Sequence, residues 1–178
     1  AFTSGSTTVA VMAAVYAQQV MGFKTSDTIL MIMVVNVAGT LGAFGFGFIQ
    51  DRLGSKKTVA LSLVIWIVSV SLVIASAEQA YFWAGAVLMG LSMGGSASCG
   101  RALVGQFAPP ARAAEFFGLW GLAVKAAAIL GPMSYGLFTF ISGGDFRIAL
   151  FSTIAYFIIG LVILSFVDEK RGMEAARL

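Results

Sequence analysis

The chain has 178 residues, of which 59% are hydrophobic and 11% are charged, and its formal net charge is +3. Soluble domains carry roughly 25% charged residues, so this composition, with a mean hydropathy of +0.94, excludes an ordinary soluble domain. Histidine is absent and Cys99 is the single cysteine, which excludes an internal disulfide and a thiolate-cluster metal site. The modest net charge gives no indication of nucleic-acid binding.

Six segments of the chain are long and apolar enough to be membrane-spanning helices. Such a helix needs roughly 20 apolar residues to cross about 30 Å of hydrocarbon. Charge-free runs, two of them extended through one charged residue, predict spans one to six near 4–22, 28–50, 58–76, 80–107, 115–141 and 147–167. The alternating pattern of a membrane β-barrel is missing. We therefore expect an all-α, polytopic membrane protein, with a six-helix domain over 1–168 and a tail over 169–178.

The loops between the spans are short, so neighbouring helices should run antiparallel, and basic residues indicate their orientation. One side of the membrane collects Arg52, Lys56, Lys57, Arg112, Lys170, Arg171 and Arg177. The other side has only Lys24 and Arg147. We expect the first side, and with it both ends of the chain, to be cytoplasmic. Because residue 1 is alanine, we also expect the chain to begin inside a longer product.

Glycine patterns in the spans predict close helix packing and an internal repeat. The stretch "LGAFGFG" (41–47) in span two matches "LGPMSYG" (130–136) in span five at its leucine and both outer glycines. These spans cross in opposite directions, as they would in two inverted three-helix repeats; the alternative is chance, since Leu-Gly pairs are common in apolar helices. Small residues four apart predict close packing on spans two and four: Gly39, Ala43 and Gly47, and Ala86, Gly90, Gly94 and Ser98.

The loop after span two carries the motif "GFIQDRLGSKK", which begins at Gly47. Gly54 permits a tight turn, Asp51 can face the partial positive charge of a helix N-terminus, and the basic residues, Lys56 among them, can bridge neighbouring helix ends. The spacing of Gly, Asp-Arg and Gly resembles the signature loop of the major facilitator superfamily. That resemblance implies that Asp51 and Arg52 form a latch that stabilises the outward-open state.

Two further stretches resemble a narrower family. They are "GRALVGQFAPP" (100–110) and "AEFFGLWGLAVKAAAILGPMSYGLF" (114–138). Both are similar to segments of the vacuolar amino-acid effluxers linked to autophagy and of their bacterial relatives. Transporters of the superfamily have twelve helices in two six-helix halves. The resemblance therefore implies that this chain is the C-terminal half and that its partner is a second six-helix half, from the same product, a separate chain or a second copy.

Lys125 is the charge that the sequence explains least. It lies about 15 Å into span five, near the bilayer midplane, where a charged residue costs about 2.5–3.5 kcal/mol and is a functional hypothesis. No acid of this chain lies at that depth. Three interpretations stay open: binding of substrate or a coupling proton, a salt bridge to the second half, and local accommodation. Pro132 bears on the last, because it frees the carbonyl of Ala128 close to Lys125.

Other polar residues in the spans are weaker candidates. Arg101 lies roughly 9 Å from its helix end. It is predicted to act in gating or in a structural pair with Asp51, Glu115 or an acid of the second half; direct substrate contact is the alternative. Gln18 and Asn36 are the best candidates for lining a cavity, although such residues more often bond a neighbouring helix.

These residues predict a secondary transporter that moves a small solute by alternating access, either an amino acid or another anionic or zwitterionic solute. No arrangement suits catalysis, and no cofactor is expected. The alternative is a six-helix structural or assembly subunit without transport. The lipid bilayer of a bacterial inner membrane is the expected location, with an organelle membrane as the alternative.

Overall fold

Long helices joined by short breaks make up most of the part of the chain that is described. The structure, a computed structural model, describes residues 18, 22–75, 79–141, 143, 146–169, 172, 174 and 176. Helix and turn, and no strand, occur among these residues, as expected for an all-α protein. Span one, predicted at 4–22, lies outside the described residues except for Gln18 and Gly22.

Five helices follow one another over the described ranges. They are α1 (Thr25–Leu53), α2 (Ser55–Ala75), α3 (Gln79–Phe107), α4 (Ala113–Ile141) and α5 (Phe146–Ser165). A short 3-10 helix, Pro110–Arg112, connects α3 with α4. The five helices lie at the positions of predicted spans two to six. Some begin or end a few residues beyond the apolar run, because a helix continues into its charged flanks until a glycine or proline ends it.

Gly54 separates α1 from α2, as the sequence predicted. Its φ of 86° is one that few residues other than glycine adopt. Its N–H donates to the carbonyl of Gln50 over 2.9 Å, which closes the last turn of α1. Because the chain turns within this one residue, α2 begins immediately at Ser55, and the ends of the two helices stay side by side.

Glycines bring α1 and α3 into backbone contact. A Cβ on Gly42 would lie 2.7 Å from the Cα of Leu91. A Cβ on Gly94 would collide with the carbonyl oxygen of Gly39. The predicted close packing of small residues on spans two and four is therefore confirmed for Gly39 and Gly94, whereas Gly42 was not among the residues predicted to pack in this way. This packing is not observed for Gly47, because a Cβ on this residue would have no described atom within 4 Å.

The core of the bundle is centred on α2. Leu63 and Trp66 are fully buried, and the Trp66 ring stacks on Phe157 of α5 with ring centroids 5.1 Å apart. On the α3 side, the hydroxyl of Ser69 donates to the carbonyl of Gly85 over 2.7 Å. Stacked aromatic rings and close helix contact together hold α2 between α3 and α5.

By contrast, α4 lies at the periphery. It packs mainly on α5, and its first turns touch the end of α3, where Phe117 approaches Gly105. Only Ala127, Gly131 and Tyr135 of its 29 residues are buried. Most of this helix is therefore available to something other than the described part of the chain.

Within the described ranges, three helical segments are long and apolar enough to cross a membrane: Thr25–Leu53, Ser55–Ala75 and Pro110–Ile141. Thr153–Ser165 in α5 is a shorter apolar segment. Helix α3 is as long as α1, but its many glycines and serines lower its hydropathy. Those small residues serve close packing on α1 and α2.

Candidate functional site

Helix α1 has an exposed face of polar and small residues. Asn36, Thr40, Gly47 and Asp51 recur at intervals close to whole helical turns, so they share one side of the helix. The Asn36 amide donates to the carbonyl of Ile32 over 2.7 Å, and the Thr40 hydroxyl donates to the carbonyl of Asn36 over 3.1 Å. Both donors are thus satisfied within α1, and neither residue ties α1 to another described helix.

Gln18 is the one residue of predicted span one whose side chain contacts can be given. Its amide nitrogen donates to the hydroxyl of Thr28 over 3.4 Å, a long hydrogen bond. Thr28 is buried near the start of α1, and its own hydroxyl donates to the carbonyl of Lys24. Gln18 therefore lies beside the end of α1 that is remote from Gly54, whereas Asn36 is near the middle of that helix.

Lys125 lies on the exposed side of α4. It is exposed and forms no ion pair or hydrogen bond with any described residue. The buried residues Ala127 and Gly131 lie on a different side of the helix. Lys125 is about 18 Å along a helix of about 43 Å, at 1.5 Å per residue. The ammonium group thus stands at mid-depth on a surface that the described chain does not cover.

Small residues flank Lys125 along the same face of α4. At helical spacing, this face carries Gly118, Gly121, Lys125, Pro132 and Gly136. No described atom approaches the Cβ positions of the three glycines within 4 Å. These glycines therefore do not serve packing within the described chain, unlike Gly42 and Gly94 at the contact of α1 with α3.

Pro132 lies inside α4, which continues past it to Ile141. The Ser134 hydroxyl, two residues further on, donates to the carbonyl of Gly131 over 2.8 Å. The Tyr156 hydroxyl of α5 in turn donates to Ser134 over 2.8 Å. No described hydrogen bond links Lys125 with the carbonyl of Ala128, so local accommodation of the ammonium group by that carbonyl is not observed.

Tyr156 was missed by the sequence analysis, which named no candidate residue on span six. Its hydroxyl joins α5 to the proline-containing part of α4. The signal was a tyrosine within a strongly apolar run, because a phenol in such a setting requires a hydrogen-bond partner. Its half-buried position fits a side chain with an apolar ring and a polar tip.

The motif residues of the loop divide into two groups. Asp51 and Arg52 are exposed, and neither forms an ion pair or hydrogen bond with a described residue. Lys56 instead points back into the bundle: its ammonium group donates to the carbonyl of Ser165 over 3.0 Å and to that of Val167. Lys56 thus makes the contact with a neighbouring helix end that was predicted for the basic residues of the loop. The predicted contact of Asp51 with a helix N-terminus stays a prediction.

Arg101 and Glu115 do not pair with each other. Arg101 is exposed and its Nε donates to the carbonyl of Ala97 in its own helix over 3.1 Å. The Glu115 carboxylate instead accepts from Arg112 over 2.7 Å, on an exposed part of the surface where such a pair contributes little stability. Two of the predicted partners of Arg101, Asp51 and Glu115, are therefore not found beside it. An acid of the second half stays a prediction.

An apolar cavity of about 270 Å³ lies near the Gly54 end of the bundle. It is lined from four helices by Val59, Leu63, Gly100, Leu103, Val104, Trp120, Gly160, Ile163, Leu164 and Val167. The lining carries no charge and, apart from the indole N–H of Trp120, no side-chain polar group. Recognition of a polar solute requires such groups, so this cavity is a packing gap between α4 and the core rather than the candidate site.

Comparison with known proteins matches nearly the whole chain to one protein family. Residues 2–177 match the family model described as "Vacuole effluxer Atg22 like". The chain is similar to the "Uncharacterized MFS-type transporter YxiO" of Bacillus subtilis, with 26% identity over 99% of the chain and 41% of the relative. It is also similar to "Autophagy-related protein 22-1" of Penicillium rubens, with 27% identity over 98% of the chain and 32% of the relative.

A further relative shows a shorter match. "Autophagy-related protein 22" of Kluyveromyces lactis is 31% identical over 91 residues, which are 51% of the chain and 18% of the relative. The chain thus spans less than half the length of these relatives. The Bacillus relative and the matched family have the names of a transporter and an effluxer, not of enzymes. The resemblance predicted from the sequence motifs is therefore confirmed.

Proposed function

The chain belongs to the vacuole effluxer Atg22-like family, and on this premise we propose that it is one half of a secondary active transporter that moves a small solute by alternating access. The observation that carries the proposal is the placement of Lys125. A single ammonium group stands at mid-depth on an uncovered face of α4, among small residues. Ionisable residues at this depth mark substrate or ion pathways.

The open faces of α1 and α4 support a shared cavity. On α1 the face offers the side chains of Asn36 and Thr40, and on α4 it offers Lys125. Helices α2 and α5 instead hold the aromatic core, through Trp66 and Phe157. We propose that α1 and α4 line the solute pathway, with Gln18 near one end of it, and that α2 and α5 support them.

A second six-helix half is the proposed partner. The chain spans 41% and 32% of the length of two relatives, as one half of a longer transporter would. The uncovered faces of α1 and α4 are where that half would lie. Asp51, Arg52 and Arg101 lack an acidic or basic partner among the described residues, and we propose that they face the second half and act in gating.

The burial of α1 and α4 supports the proposal of two inverted three-helix repeats. Gly42 and Gly131, matched in the sequence repeat, are both buried. Their neighbours Leu41 and Leu130 are exposed to similar extents, 63% and 59%. Matched residues in similar surroundings are what two related units would produce. The five described helices and predicted span one together give the proposed count of six membrane helices.

The solute is proposed to carry a negative charge, as an amino acid or another small anionic or zwitterionic molecule does. An ammonium group with no ion-pair partner among the described residues attracts a carboxylate strongly at low dielectric. The name of the matched family is that of an effluxer, which favours transport over a purely structural subunit. The proposed site of action is the inner membrane of a bacterium, with a vacuolar membrane as the alternative.

Cysteine labelling in membranes tests whether the open face of α1 meets water. In a Cys99→Ser background, Thr40→Cys should react with a membrane-impermeant maleimide. Val68→Cys is the matched control, because Val68 is also exposed and lies equally far from Gly54, on the supporting helix α2. Equal lack of reaction at both positions would show that no aqueous cavity adjoins α1 and would contradict the proposal.

A further inference from the structure

The start of α2 lacks a cap of its own. The first N–H groups of a helix have no acceptor within that helix, and a side-chain oxygen of the preceding residue usually supplies one. Here the preceding residue is Gly54, which has no side chain. The Glu169 carboxylate, from the segment after α5, accepts from the N–H of Ser55 over 3.0 Å. It also places a negative charge at the positive end of the α2 dipole.

At the end of α5 the groups that need a partner are hydrogen-bond acceptors rather than donors. Its last carbonyl groups have no donor within the helix. The ammonium group of Lys56 donates to the carbonyl of Ser165 over 3.0 Å and to that of Val167. Lys56 and Glu169 therefore each lie at a helix end of opposite partial charge. Together they join the first turn of α2 to the last turn of α5.

The segment that carries Glu169 is itself anchored. The N–H of Gly172 donates to the carbonyl of Asp168 over 3.0 Å, so the chain continues in a helical turn. A Cβ on Gly172 would lie 2.8 Å from the ring of Phe107, so this turn packs closely on the end of α3. The segment predicted to be a plain tail thus links the ends of α2, α3 and α5.

We propose that Glu169 is a positioning residue for the signature loop: with Lys56 it fixes Gly54 and Ser55 against the end of α5, and thereby sets the direction in which Asp51 and Arg52 face the second half. This inference rests on the proposed function, because only a transporter gives the loop a gating role. It divides the motif by task. Lys56 binds carbonyl groups of the chain itself, whereas Asp51 and Arg52, which form no ion pair or hydrogen bond with a described residue, serve the contact between halves.

Hydrogen–deuterium exchange of the intact protein in nanodiscs tests the contact itself. Loss of a helix cap accelerates local exchange by about five- to tenfold. Glu169→Ala should therefore raise exchange in the peptide over 54–58 by that factor. Glu169→Gln keeps an oxygen acceptor and should give a smaller rise. Glu174→Ala is the control, because Glu174 is exposed in the same segment. Wild-type exchange in Glu169→Ala would overturn the proposal.

A labelling measurement tests whether the contact positions the gate rather than only stabilising α2. In the Cys99→Ser background, Gly118→Cys reports on the open face of α4, where no described atom lies within 4 Å. Glu169→Gln should raise its alkylation rate from the signature-loop side severalfold. Faster exchange over 54–58 with unchanged alkylation would overturn the positioning role. If both measurements respond but the intact protein transports nothing, the proposed function fails while the role of Glu169 as the anchor of the loop stands.

Discussion

Among single residues, glycine has different roles on different helices. Gly94 is required because the backbone of α1 occupies the space of its side chain. A Cβ on Gly136 of α4 would have no described atom within 4 Å. Both were visible in the sequence as glycines in apolar runs. Only the packing of α1 on α3 tells them apart, so the sequence alone could not separate the two kinds of glycine.

Gly94→Ala should destabilise the protein, because its methyl group would overlap the carbonyl oxygen of Gly39, a backbone atom that cannot move alone. Overpacking of this kind costs about 1–3 kcal/mol. Thermal unfolding in detergent should show a lower midpoint for Gly94→Ala. Gly136→Ala is the matched control and should unfold at or slightly above the wild-type midpoint, because alanine favours a helix over glycine. Equal midpoints for all three proteins would contradict the close packing of α1 on α3.

Among the elements, apolar runs of the length that a lipid bilayer requires predicted helices, and the described helices α1 to α5 lie at five of those runs. Contacts between elements were harder to predict. The Glu169 carboxylate caps α2 from a distant part of the sequence, and no local pattern marks such a pairing. Tyr156 likewise meets Ser134 only because α5 packs on α4. Both contacts depend on tertiary structure, whereas the tight turn at Gly54 depends on one residue and was predicted.

Tyr156→Phe should loosen α4. This helix packs mainly on α5, and the hydroxyl of Tyr156 donates to Ser134 near their contact. Loss of such a bond costs about 0.5–1.5 kcal/mol. Exchange in the peptide over 130–138 should therefore rise about two- to tenfold. Tyr81→Phe, at an exposed tyrosine on α3, should leave that peptide unchanged; a rise of the same size in this control would indicate general destabilisation instead.

In the molecule as a whole, the described helices form a bundle with one closely packed part and one set of exposed helix faces. The packed part is the core of α2, α3 and α5, with Trp66 and Phe157 at its centre. The exposed faces are those of α1 and α4. The sequence indicated this division only in part, since Asn36 and Lys125 lie on those two helices but Arg101 lies on α3. It could not predict what meets Lys125, because the proposed partner of that residue lies on another half or in solution.

Lys125 is proposed to handle a negatively charged solute during transport. The direct test is counterflow of a mixture of radiolabelled amino acids into proteoliposomes that contain the intact protein with its second half. Loss of a hydrogen bond to a charged group costs about 1.5–3 kcal/mol, so Lys125→Met should reduce uptake at least about tenfold. Leu137→Met, a change at an exposed residue elsewhere on α4, should transport normally. Wild-type uptake by Lys125→Met would contradict the claim.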